Sequence, residues 1–177
     1  MKKLSFFFLF LTLATNAQEL QKGSVIKDYG KFYNIQNPDF SLNPQKKYKV
    51  IFDIRKATND INVSNPLLDI VARFMNMHVA QGVPLENLDI AVVFHGSATK
   101  DILSNAAYKE KFRKKNPSLD LLKELKNVDV KLYVCGQSAL SYNISKEDVA
   151  KPVLFALSAL TVLTEYQSLG YQIIDFN

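Results

Sequence analysis

Cysteine occurs once in these 177 residues, at position 135, and histidine twice, at 78 and 95. A single thiol closes no intramolecular disulfide, so a disulfide-stapled scaffold is excluded. Two histidines and one cysteine without ligand spacing make a poor metal centre, and none is expected. There is no C-x-x-C pair, which removes a thioredoxin-type dithiol. Neither G-x-G-x-x-G nor G-x-x-x-x-G-K-[ST] is present, so nucleotide binding lacks its usual glycines. The loop over residues 55–65 holds no glycine, which argues against a flavin-phosphate loop. No G-x-S-x-G elbow is found. No repeat of solenoid length is visible, and no apolar run reaches the ~20 residues of a membrane-spanning helix. No cofactor is expected.

What is present suits one globular domain with a sizeable core: 47% hydrophobic and 22% charged residues. The chain opens with "MKK", then the apolar "LSFFFLFLTLA", then small residues at Thr15 and Ala17. That order reads as a signal peptide over residues 1–17, cleaved before Gln18. The mature protein is then periplasmic or secreted, with no stable membrane span. Without Lys2 and Lys3 the basic side chains fall from 22 to 20 against 17 acidic ones, so a net charge of +5 becomes +3. The one dense basic cluster, "YKEKFRKK", reads as a solvated helix face, and no nucleic-acid partner is expected. Mild positive charge favours an anionic ligand.

Residues 18–47 show no sustained period. Their aromatics, Tyr29, Phe32, Tyr33 and Phe40, suggest an irregular strap lying on a domain that covers residues 48–177. "YKVIFDI", "LDIAVVFHG", "VDVKLYVCG" and "YQIIDF" read as buried strands. Asn65-Pro66 starts a helix with Leu67, Ile70, Val71, Phe74, Met75 and His78 on its apolar face. Gly82 and Pro84 stop it. Asn116-Pro117 starts another, with Leu119, Leu122 and Leu125 inward. A short turn or helix runs through "QSALSYN". Pro152 opens a last helix over Val153 to Leu169, apolar to Leu163 apart from Ser158 and Thr161. Such a helix is deeply buried or packs on a second subunit. Apolar strands alternating with helices predict a three-layer α/β/α sandwich around a mainly parallel sheet.

In such sheets ligands bind beyond the carboxyl ends of the strands. Those ends deliver Asp53 and Arg55, then His95, Gly96 and Ser97, then Cys135, Gly136, Gln137 and Ser138. Cys135 precedes a glycine and a helix start, whose N–H groups stabilise a thiolate. A buried strand-end cysteine is the other reading, and the residues alone do not choose. His95 beside Gly96 is either a ligand contact or a turn histidine bonded to backbone. His78 reads as a satisfied core histidine, and Asp53 as a carboxylate bonding loop N–H groups.

Three stretches, "AVVFHG" (91–96), "NPSLDLLKELKNVDVKLYVCGQS" (116–138) and "ALSALTVLTEYQSLGYQII" (156–174), resemble the DsrE/DsrF-like (YchN-type) sulfur-handling family. The resemblance runs from about Tyr48 to Phe176. It implies about five parallel strands and a homo-oligomer, commonly a trimer or hexamer. It implies a persulfide-carrying role for Cys135, with Gly136, Gln137 and Ser138 lining the site; the strand-end reading adds His95 and Gly96 to the substrate-binding rim. A sulfur donor or acceptor protein would be the partner, and any enzyme activity would be sulfurtransferase-like at most. The alternative is a non-catalytic oligomeric module that binds a small ligand at the same rim.

Overall fold

The computed structural model describes residues 19–175. The expected signal peptide lies outside those residues. After a two-stranded antiparallel pair, β1 (Leu20–Gln21) with β2 (Phe32–Tyr33), come β3 (Tyr48–Ile54), α1 (Pro66–Ala80) and β4 (Leu88–Phe94). A 3-10 segment (Gly96–Ile102), α2 (Asn105–Phe112) and α3 (Leu119–Asn127) follow. The chain continues through β5 (Lys131–Cys135), α4 (Gly136–Ser141), β6 (Val153–Ala156), α5 (Ala159–Ser168) and β7 (Gln172–Asp175). β3 to β7 form one parallel sheet in the order β6-β5-β4-β3-β7.

Successive side chains of a strand face opposite sides of its sheet, and the register aligns like with like. Val50, Phe52, Ile54, Ile90, Val92, Phe94, Leu132 and Val134 belong to the large core beneath α1 and α3. Ile51, Ala91, Val93 and Cys135 face the other way, into a smaller core with Ala159, Val162 and Tyr166 of α5. Burial on both faces is why β3, β4 and β5 read as nearly continuous apolar runs; β7, expected as a buried strand, is instead a largely exposed edge strand.

The Asn65 side chain caps α1, its oxygen accepting from Leu67 N at 2.9 Å. The buried stripe of α1 is Leu68, Val71, Ala72, Met75, Asn76 and His78, rotated from the expected face. Leu67, Ile70 and Phe74 are only partly buried. The N-terminal strap causes the rotation. Asn76 bonds the backbone of Ile26 through both its amide atoms and also donates to the carbonyls of Tyr29 and Gly30. Asp69 accepts from Gly30 N at 2.8 Å. Polar α1 residues are thus covered because the strap supplies their hydrogen-bond partners. Phe32 is buried, whereas Phe40 lies open. In α3 the inward leucines are Leu121, Leu122 and Leu125, and Leu119 is half-buried.

The expected helix over Val153–Leu169 is corrected. Residues Val153–Ala156 are the edge strand β6, paired with Leu132–Cys135, and the helix begins only at Ala159, with Ser158 as its cap. The unpaired edge of β5 takes up the Val-Leu-Phe run, and tertiary pairing overrides the apparent helical continuity. Nor is α5 deeply buried: Leu160 is 78% exposed. Among the described residues no helix is long and apolar enough to cross a membrane.

Candidate functional site

Because all five strands run parallel, their carboxyl ends share one rim. β4 and β5 pair through Phe94↔Val134, so His95 and Cys135 are the next residues out on adjacent strands. The 96–102 segment clamps the rim. His95 N donates to Ile54 O at 3.0 Å, and Ala98 N to Arg55 O at 3.1 Å. Ser97 Oγ donates to Arg55 O and accepts from Ala57 N. Gly96 has φ +54°, and a Cβ there would stand 3.0 Å from Arg55 O. A glycine is needed for both reasons.

Cys135 is the N-cap of α4. Its Sγ accepts from Ser138 N at 3.4 Å. Gly136 lets the start of α4 settle against β6, since a Cβ there would lie 2.6 Å from Ala156 O and 2.7 Å from the Phe155 ring. Ser138 links two strand ends. Its hydroxyl oxygen accepts from Gly96 N at 3.1 Å, and its proton is directed at the thiol. Burial pushes the Cys135 thiol up. Hydrogen bonds from the Ser138 hydroxyl, Ser138 N, Ala159 N and Gln137 N outweigh it, and the thiol ends below its ordinary value of 9.0. Donors arranged around a sulfur favour its charged form. The cysteine is nearly covered, at 5% exposure.

Of the six residues expected at the site, Cys135, Gly136, Ser138 and Gly96 meet in one bonded cluster. Gln137 contributes its N–H, while its exposed side chain points to Leu157 O at 3.5 Å. His95 turns to Asp53, with Nε2 2.7 Å from Oδ1. The Asp53 carboxylate thus meets the histidine of the neighbouring strand end. Both lie on the α5 side of the sheet on adjacent strands, which the register brings together. His78 is a core histidine. Its Nδ1 lies 2.7 Å from Phe74 O, and burial holds its pKa below the ordinary value.

The contribution of Ala159 is not legible in the sequence, where the helix reads as starting six residues earlier, at Val153. Ser158, a cap residue after a β-prone run, is the signal that places the start of α5. The buried carboxyl of Asp101 was also missed. Its Oδ2 accepts from Asn65 Nδ2 at 2.7 Å, its carbonyl accepts from Asn116, and burial raises its pKa to about 6. Among the described residues no group of three or more His, Cys, Asp or Glu side chains is placed to hold a metal ion.

The chain matches the model of the DsrE/DsrF-like family over residues 46–176. No curated protein matches it. Two solved structures share the fold, each with 16% identity and a TM-score of 0.53. One is a protein of unknown function, MTH1491, from Methanobacterium thermoautotrophicum, matched over 72% of this chain and 98% of its own. The other is the ychN protein from E. coli, matched over 73% of this chain and 99% of its own. With the family model spanning the whole parallel sheet and the Cys135 rim, this chain belongs to the DsrE/DsrF-like family.

Proposed function

We propose that the protein is an exported sulfur carrier in which Cys135 holds a persulfide. One observation carries this reading: the thiol caps a helix and its hydrogen-bond donors lower its pKa against the effect of burial. The Cys135 thiolate attacks the outer sulfur of a donor persulfide. The donor S–S bond breaks, the donor leaves as a thiolate, and Cys135 becomes Cys–S–S⁻. An acceptor thiolate then attacks that outer sulfur, and Cys135 leaves as the thiolate. No external oxidant is needed. Ser138 and the three N–H groups stabilise the sulfur anion at both stages. Gly96, Gly136, Gln137 and the His95–Asp53 pair border the position of the incoming group.

The apolar leader supports export to the periplasm or beyond, which intact mass of the recovered chain tests by a start at Gln18. Exposed Leu154, Leu157 and Leu160 next to the rim support self-association into a trimer or hexamer. Light scattering coupled to size exclusion tests that. The deciding experiment is the alkylation rate of Cys135 against pH in the folded protein. Rapid modification with a midpoint well below the ~8.5 of a free thiol, together with uptake of one sulfur atom from a persulfide donor, is expected. The 5% exposure of Cys135 favours a second reading, a rim that binds a small ligand without covalent chemistry. A thiol silent until unfolding would rule out the carrier and put that reading in the lead.

A further inference from the structure

Between the 96–102 segment, the end of α2 and the turn after α4 lies a recess of about 240 Å³. Its apolar surfaces are Leu103, Phe112, Tyr142 and Ile144, and Lys100 and Lys111 also line it. It shares no residue with the Cys135 cluster. We infer that this recess is a binding site for a small organic anion, an aromatic or branched carboxylate whose apolar body enters the recess and whose charge meets Lys111.

The walls are held in place before any ligand arrives. Phe112 packs on the buried Tyr108 ring at 4.6 Å, and Tyr108 Oη donates to Ile61 O at 3.1 Å. Ile144 N donates to Ala139 O at 2.9 Å, which pins the turn after α4. Ile144 and Leu103 are almost fully buried and form the apolar floor. A preformed concave site with an apolar lining and few polar groups is the usual form of a small-molecule pocket. At ~30 Å³ per water, the recess has room for about eight water-sized groups.

Water is a poor occupant. Of the three lining residues with a hydroxyl, two are already engaged: Ser97 Oγ bonds Arg55 O and Ala57 N, and Thr99 Oγ1 donates to Gly96 O, which leaves the half-exposed Tyr142. A water inside would find few of the 2–4 polar partners it needs. An apolar group loses nothing there and sheds its own hydration.

Charge selects the sign of the ligand. Lys111 Nζ donates to Asn143 O at 3.2 Å and lies exposed. An ammonium carries three donors, so two remain for an anion. Lys100 donates to Thr58 O and is partly neutralised by Asp60 and Asp101, so Lys111 is the principal anchor.

The test is a titration of the ¹⁵N-labelled chain, residues 18–177, with sodium benzoate and, separately, with the neutral isostere benzamide. Benzoate is expected to saturate shifts at the amides of Leu103, Phe112 and Ile144 with a Kd on the order of 1–10 mM. Benzamide is expected to bind roughly threefold or more weaker. Lys111→Ala, on an exposed helix position, should reduce benzoate to the level of benzamide without altering the rest of the spectrum. Ile144→Phe fills the recess and should abolish both. Absence of saturable shifts at these amides would overturn the inference. So would equal binding of the two probes, or benzoate affinity unchanged by Lys111→Ala. None of these results depends on the reactivity of Cys135.

Discussion

Replacing Asp101 with Asn should change the pH dependence of folding in a specified direction. The Asp101 carboxyl is 2% exposed, next to the cap of α1, and ionises at about 6 in the folded chain against 3.8 ordinarily. Between those pH values the native state keeps a proton that the unfolded state has released. The carboxyl therefore costs stability as pH rises through this window, and the cost vanishes below about pH 4. A gap of about two units at 1.36 kcal/mol each amounts to about 3 kcal/mol. Asparagine keeps the shape and an oxygen to accept from Asn65 Nδ2, and it has no charge to desolvate. Urea unfolding of both proteins from pH 4 to 7.5 measures the difference. The variant should gain about 3 kcal/mol on the native chain across that range, whatever fixed offset the amide introduces. Other titrating groups, such as Asp89, whose bonds to Lys131 and Tyr171 hold its pKa down against burial, act alike in both proteins and cancel. A difference that stays constant with pH would refute burial as the force acting on Asp101.

Three further outcomes follow from the same contacts. Ser138→Ala removes the hydroxyl that donates to Cys135 and accepts from Gly96 N. The alkylation profile of Cys135 should move to higher pH, and thermal unfolding should show a loss of about 1–2 kcal/mol. Gly136→Ala forces a Cβ into Ala156 O at 2.6 Å, which is backbone and yields little. Denaturant unfolding should show a loss of about 1–3 kcal/mol, with β6 and α4 the first segments to exchange amide hydrogens. Asn76→Ala removes the amide bonded to Ile26, Tyr29 and Gly30. About 2–3 kcal/mol should be lost, and limited proteolysis should cut the strap well before the sheet.

The order of apolar runs and helix starts determined most of the architecture. Four of the five parallel strands were readable: β3, β4 and β5 because strands buried on both faces are apolar almost throughout, and the exposed edge strand β7 through its Ile173-Ile174 pair. Asn65-Pro66 marked the start of α1 through local cap chemistry, whereas Asn116-Pro117 stands just ahead of α3, whose cap position is Ser118. The glycine after Cys135 marked a strand-to-helix junction. These signals are local, so a single sequence carries them.

What the chain could not show is what distant segments do to one another. Val153–Ala156 is β-prone but continuous with an apolar helical pattern; pairing with the free edge of β5 is what makes it a strand. That pairing moves the start of α5 to Ala159 and brings a fourth donor to the Cys135 thiol from 24 residues away. Asp53 finds His95, and Asp101 finds Asn65, only because the sheet register and the 96–102 segment stack them. The sequence by itself determined the layer order and the placement of Cys135 at a strand end. Tertiary structure alone decided which distant groups join the neighbouring Gln137 and Ser138 around it, because burial and long-range hydrogen bonds depend on distances that sequence spacing does not contain.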